Sequence, residues 1–225
     1  MVHPLDNPIW SALNTGNKHL ALGNDLAKHF ESDVALFVAV KNNEREAYQA
    51  LWNMIEHDQT VVAFSKEKHI DAAPWSLINR IDGLQMLFEG ATPLPNNETE
   101  ITALIETNVP AMLALTQLVP PGPFYKQTIR FGGYEGIFSG EELVAMAGQR
   151  FHSGPYVEIS AVCTHTNHMG KGYARQLINS QIRRIQAQGN TPYLHVRADN
   201  TRAIQIYQDL GFVTRSEMNF YILKK

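Results

Sequence analysis

The sequence predicts an α/β protein of the α+β kind, in which a mixed, largely antiparallel sheet is flanked by helices and preceded by a smaller α+β domain. Three observations carry this. Short apolar runs bounded by Gly, Pro and Ser turns fill residues 134–164, as in a β-meander. Two segments with apolar residues at helical spacing follow, each closed by a glycine, Gly189 and Gly211. Upstream, Ala91-Thr92-Pro93-Leu94-Pro95-Asn96-Asn97-Glu98 has the composition of an exposed linker. It divides the chain into an N-terminal domain, 1–95, and a second domain, 96–225.

In the first domain, residues 17–30 read as a helix and Val34–Val40 as a strand. A helix over 44–57 places Ala47, Leu51, Met54 and Ile55 on one face. Runs at 61–64, 77–81 and 84–88 read as strands. No catalytic signature stands out here, and the domain reads as a degenerate copy of the second or as a lid over its acceptor. In the second domain, residues 100–107 read as a strand. Asn108 and Pro110 open a helix that carries Met112, Leu115 and Leu118 and stops at Pro120-Pro121-Gly122-Pro123. Strands at 134–139, 143–151 and 156–164 come next, with turns at 140–142 and 152–155. A helix over 170–188 bears Ala174, Leu177, Ile178 and Ile185. Strand 191–196, helix 201–210 and a closing strand pair ending near Leu223 complete the order.

Composition narrows the function. Of 225 residues, 44% are hydrophobic and 18% charged, enough for one large core or two small ones. A net charge of −3 without a Lys/Arg cluster argues against a nucleic-acid partner. Cys163 is the only cysteine, so no intrachain disulfide forms and a reducing compartment suits the chain. Met1–Pro8 lack a basic stretch followed by an apolar run, and no apolar run is long enough for a bilayer. A cytoplasmic protein without a membrane partner is expected, and a homodimer is left open.

Chemistry concentrates where strand 156–164 leads through a loop into Met169-Gly170-Lys171-Gly172-Tyr173-Ala174. A helix N-terminus offers unpaired N–H groups and partial positive charge to phosphate oxygens, and glycines let the ligand approach the backbone. A P-loop reading fails because His165 replaces its first glycine and Gly172 its Ser/Thr. A dinucleotide fingerprint fails at Arg175. A plain strand-to-helix turn accounts for the glycines equally well.

The flanking residues favour a ligand. Residues 169–174 resemble the cofactor motif [QR]-x-x-G-x-[GA] of the GNAT acetyltransferase superfamily, with Met169 where Gln or Arg is usual. Asn200-Thr201-Arg202-Ala203 followed by Tyr207 and Gly211-Phe212 is similar to the same superfamily's N-x-x-A-x-x-x-Y-x-x-x-G-F block. The resemblance spans about residues 100–225, and its C-terminal block is more narrowly similar to the glycine N-acyltransferase C-terminal domain. It implies a GNAT-like sheet, acetyl-CoA as co-substrate without metal, and transfer of acetyl to a primary amine of a small molecule or peptide by direct attack. It places the cofactor against Val162, Cys163, Thr164, Met169, Gly170, Lys171, Gly172, Tyr173, Ala174, Asn200 and Ala203. Tyr207 is implied as the acid that protonates the leaving thiolate, and Glu158, fourteen residues before Gly172, as the general base. Each has a plainer alternative: Tyr207 as part of an apolar helix face, Glu158 as a strand-end carboxylate, Asn200 as a helix cap.

Rival readings are a longer-chain acyltransferase, a non-catalytic CoA-binding regulatory module, and a Cys163 thiol nucleophile activated by His165 on the same strand face. A lone strand cysteine is more often a small buried hydrophobe. His165 and His168 lack further ligands for zinc at suitable spacing. Arg130, Gln149 and Arg150 flank the expected acceptor side.

Overall fold

The computed structural model describes residues 3–94 and 99–225. Eleven strands form one sheet in the order β1-β2-β3-β4-β11-β5-β10-β9-β8-β7-β6. In chain order these are β1 (Leu22–Gly23), β2 (Ala27–His29), β3 (Phe37–Val40), β4 (Thr60–Ser65), β5 (Ser76–Phe88), β6 (Thr102–Ala103), β7 (Glu135–Ser139), β8 (Glu142–Ser153), β9 (Tyr156–Thr164), β10 (Thr191–Arg197) and β11 (Phe212–Lys224). The helices are α1 (Pro8–Asn14), α2 (Arg45–Met54), α3 (Val109–Leu118), α4 (Tyr173–Ala187) and α5 (Thr201–Asp209). Among the described residues only β3–β4 and β9–β10 pair in parallel. The fold is the expected mixed, largely antiparallel sheet with helices on its faces.

The order is symmetric about the long antiparallel pair of β5 and β11. On one side β10 is antiparallel to β5, β9 is parallel to β10 and β8 antiparallel to β9. On the other side β4, β3 and β2 repeat that sequence of directions against β11. A helix crosses within each parallel pair, α4 and α2 respectively. The closing strands are exchanged, because β5 comes from the N-terminal half yet lies beside β10. The border drawn at 95/96 falls in residues 95–98, outside the described residues. The stretches on either side share one sheet rather than folding apart, since β5 separates β10 from β11.

Local chemistry accounts for the elements that differ from expectation. Residues 17–30 are not a helix. Asn24 Oδ1 accepts the N–H groups of Leu26 and Ala27, an Asx turn that closes the β1–β2 hairpin after Gly23 at φ +115°. The helix lies earlier, where the Asn7 side chain accepts the Trp10 N–H and Pro8 takes the first helical position. Runs 77–81 and 84–88 join as β5 through Gly83, whose missing side chain admits the Phe220 ring; an added Cβ would sit 2.4 Å from it. The strand read at 100–107 shortens to β6 and one 3₁₀ turn. Asn108 serves that turn by accepting the Ile105 N–H and does not cap α3. The closing strand pair is the single strand β11.

Candidate acyl-transfer site

β9 carries the site because its two edges are treated differently. Toward β8 it is paired through Thr164. Toward β10 it is paired only at Tyr156, Val157 and Glu158. β10 then continues alongside β5 instead, so the strands separate beyond Glu158 and Ile159–Thr164 face the gap without a strand partner. Ala161 sits at φ +53° inside the strand, a conformation costly for a residue with a Cβ, and the β8–β9 register shifts across it, between Ser160 and Cys163. This bulge re-aims the backbone at Ala161–Val162.

The gap opens into a cavity of about 480 Å³. Val162, Cys163 and Thr164 line it from β9; Met169, Gly170, Gly172, Tyr173 and Ala174 from the loop and first turn of α4; Asn200, Ala203 and Tyr207 from α5. Of the cofactor residues expected from sequence, the fold thus brings all but Lys171 to one cavity. Lys171 is not in the lining, but its Nζ lies 3.3 Å from Nδ1 of His168, which is. Gly170 and Gly172 adopt φ of +80° and +74°. Gly172 is the N-cap of α4 and supplies no side-chain cap, so the first-turn N–H groups are open to a ligand. Thr164 Oγ1 is buried without a hydrogen-bond partner. Open amides at a helix start, an unpaired strand edge and an orphaned hydroxyl together fit a ligand with both phosphate and amide groups, as coenzyme A has.

Sequence reading missed Val119, His168, Arg175, Ile178, Arg202 and Ile206, which also line the cavity. Ile178 lies four residues after Ala174 and Ile206 three after Ala203, so helical spacing could have found them. Val119, at the end of α3, is brought in by tertiary packing alone.

Tyr207 is half-buried, packs its ring on Phe212 and has no hydrogen-bond partner among the described residues. Burial pushes its phenol up to about 12, so it carries its proton at any working pH. Asn200 Oδ1 accepts the Ala203 N–H. It caps α5 and lines the cavity at once.

Glu158 lies away from this cavity and from the next, and its side chain is 0% exposed. Arg150 donates to it from Nε and Nη2 at 2.9 and 2.6 Å, and His195 Nδ1 lies 2.7 Å from it. Burial works to raise its pKa, but the Arg150 charge and the His195 contact outweigh this and lower it to about 2. A carboxylate held there has little affinity for an amine's proton. His195 is neutral with a defined tautomer. Arg215 donates to Gln85 Oε1, so Gln85 Nε2 donates to His195 Nε2 and leaves Nδ1–H for Glu158; burial lowers the ring's pKa. Cys163 and His165 do not form the pair a thiol nucleophile needs. Burial raises the thiol to about 12, while His165 faces Glu142 and the Asn167 N–H.

Across β9 a smaller cavity of about 20 Å³ is lined by Arg150, Ser160, Ala161, Tyr134, Phe37 and the 121–124 loop, among others. Of the expected acceptor-side residues, Arg150 faces it. Arg130 instead pairs with Glu31 at 3.0 Å, and Gln149 is buried, donating to Gln181. Among the described residues no group of three or more His, Cys, Asp or Glu could hold a metal ion, and no helix is long and apolar enough to cross a membrane.

A family model described as FR47-like protein matches residues 134–221. The mycothiol acetyltransferase of Streptomyces scabiei is 36% identical over 84 residues, a match covering 36% of this chain and 27% of that protein's length. A GNAT-family structure from Novosphingobium aromaticivorans, described as an acetyltransferase, superposes with a TM-score of 0.92 at 31% identity, over 100% of this chain and 99% of that one. A GCN5-related N-acetyltransferase from Kribbella flavida superposes with a TM-score of 0.64 at 14% identity, over 94% and 93% of the two chains, a likeness of fold alone. Full-length similarity to the Novosphingobium protein at 31% identity, together with an opened strand edge facing an uncapped glycine turn, makes this chain a member of the GNAT family of acetyltransferases.

Proposed function

We propose that the chain transfers the acetyl group of acetyl-CoA to a primary amine by direct attack, without an acyl-enzyme. The observation that carries this is the departure of β10 from β9 after Glu158, which leaves a strand edge between a 480 Å³ cavity and a smaller one. Residues 170–174 would hold the pyrophosphate through backbone N–H groups. The free edge of Ile159–Thr164 would pair with the pantetheine amides, with Val162 N–H a donor to the thioester carbonyl. Acetyl-CoA supplies the activated acyl carbon. Tyr207 O–H gives its proton to the sulfur as the C–S bond breaks. Among the described residues no carboxylate lines either cavity, so no carboxylate there takes the amine's proton, which passes to water. The N-terminal half reads as a degenerate copy of the fold, a reading supported by the symmetric strand order. Its loop at the corresponding place, Lys41-Asn42-Asn43-Glu44, has no glycine.

The narrower likeness to glycine N-acyltransferase finds no support in the comparisons, and the FR47-like match stands in its place. A CoA-binding module without turnover is the second reading, favoured by Met169 in place of the usual Gln or Arg. One assay separates the two: thiol release from acetyl-CoA across an amine panel. Amine-dependent release supports transfer; tight CoA binding with no release for any amine supports the module. Longer acyl-CoAs in the same assay set the chain-length preference.

A further inference from the structure

Two phenyl rings and a carboxylate hold Arg150 in one plane at the smaller cavity. Phe37 and Phe151 each lie 4.6 Å from its guanidinium carbon, and Glu158 takes Nε and one hydrogen of Nη2 side-on. A guanidinium presents five N–H donors in a rigid fork. The three that remain, on Nη1 and the outer side of Nη2, have no partner among the described residues, and the side chain is 16% exposed. Among the described residues no other charged side chain lines this cavity. A fixed, unpartnered donor edge of this kind complements a carboxylate received end-on.

Behind Arg150, Glu158 is held in turn by His195 Nδ1, whose Nε2 meets the Gln85 amide, so the carboxylate that orients the guanidinium is itself fixed. The cavity of about 20 Å³ has room for about one water-sized group beside Arg150, so a carboxylate would enter it tip first while the body of the acceptor stays outside. Ser160 and Ala161, in its wall, directly precede Val162 of the larger cavity.

We infer that the acceptor is an amine whose own molecule bears a carboxylate, and that the outer edge of Arg150 reads that carboxylate while the amine reaches the Ala161–Val162 bulge. This rests on the acetyl-transfer reading above. It disfavours polyamines and other polycations, which would bring a second positive charge against Arg150.

The test uses the full chain, acetyl-CoA, and matched acceptors: amino acids, their carboxamides, and the corresponding decarboxylated amines. The acids should show kcat/KM roughly ten- to hundredfold above the amides, the range of a hydrogen bond to a charged group. Arg150→Lys keeps a cation for Glu158 but loses the fork, and should collapse that preference through a raised acceptor KM. CoA affinity by calorimetry reports that this variant is folded. Calorimetry on the CoA-bound protein should likewise favour N-acetyl amino acids over their amides, independently of turnover. Amides and simple amines that match the acids, or a preference that survives Arg150→Lys, would overturn the inference and leave acetyl transfer standing. Thiol release with no amine at all would remove both.

Discussion

Glu158 stands at the spacing expected of a general base, yet Arg150 and His195 already take its lone pairs, and spacing cannot report that. The role it does have is in stability. Its pKa is lowered from 4.5 to about 2 in the folded chain, so protonation favours the unfolded state. Its contribution is therefore whole above about pH 4.5 and drains as pH falls toward about 2. Glu158→Gln strands a buried Arg150 charge and should lower unfolding stability near neutrality by about 3–5 kcal/mol. Urea denaturation measures it, and raising the pH of the activity assay should give no selective rescue. Tyr207 differs in having a partnerless hydroxyl at the cavity. Tyr207→Phe keeps the contact with Phe212 and removes the proton. The expected result is a kcat drop of about 100-fold, the low end for a general acid, with KM for acetyl-CoA little changed. A kcat within roughly twofold of the parent, well short of that range, would make Tyr207 a packing residue only.

At the scale of elements, what the sequence made legible was whatever carries both a period and its punctuation. α4 and α5 were readable because Leu177, Ile178, Ile182 and Ile185 bury one face and Gly189 and Gly211 end the helices. Residues 17–30 misled because their polar–apolar pattern suits a helix, whereas Asn24 settles the matter by a local hydrogen bond. The Ala161 bulge was unreadable, since an alanine at positive φ leaves no mark in composition. The N-terminus of α4 gives the element-scale prediction. At Gly172 a Cβ would meet only Gln176 Nε2, at 3.9 Å, so the space exists and the left-handed backbone is the obstacle. Gly172→Ala should cost about 1–2 kcal/mol of strain and weaken CoA binding modestly. Gly172→Asp suffers a similar strain, but its carboxylate can cap the helix while repelling the pyrophosphate. It should keep the fold and lose CoA affinity by at least an order of magnitude more than the alanine. Equal calorimetric affinities for the two variants would remove the pyrophosphate from this helix.

Across the whole molecule, the exchange of β5 and β11 decides whether the segments on either side of 95–98 are independent. The linker composition was visible in the sequence. The exchange was not, because strand pairing between residues over a hundred positions apart has no local signal. β5 pairs with β11 from Phe88↔Phe212 to Ser76↔Lys224 and with β10 from Leu87↔Tyr193 to Gly83↔Arg197. A fragment of 99–225 would therefore lose the strand between β10 and β11 and expose two long edges with buried side chains such as Leu194, Met218 and Tyr221. The N-terminal segment also supplies Leu5, Ile9, Leu13 and Phe37 to the same core as Met146, Phe151 and Cys163, so neither piece keeps a closed core. The full chain should unfold in urea as one cooperative transition followed by tryptophan fluorescence and by far-ultraviolet circular dichroism alike. The fragment 99–225 has no tryptophan; made alone, it should aggregate or show no cooperative transition by circular dichroism, and should not bind CoA. Co-expression with 1–94 should restore both, because every strand contact is then available without a covalent link. A fragment 99–225 that folds cooperatively and binds CoA unaided would show that β5 is dispensable, and that the halves are two domains after all.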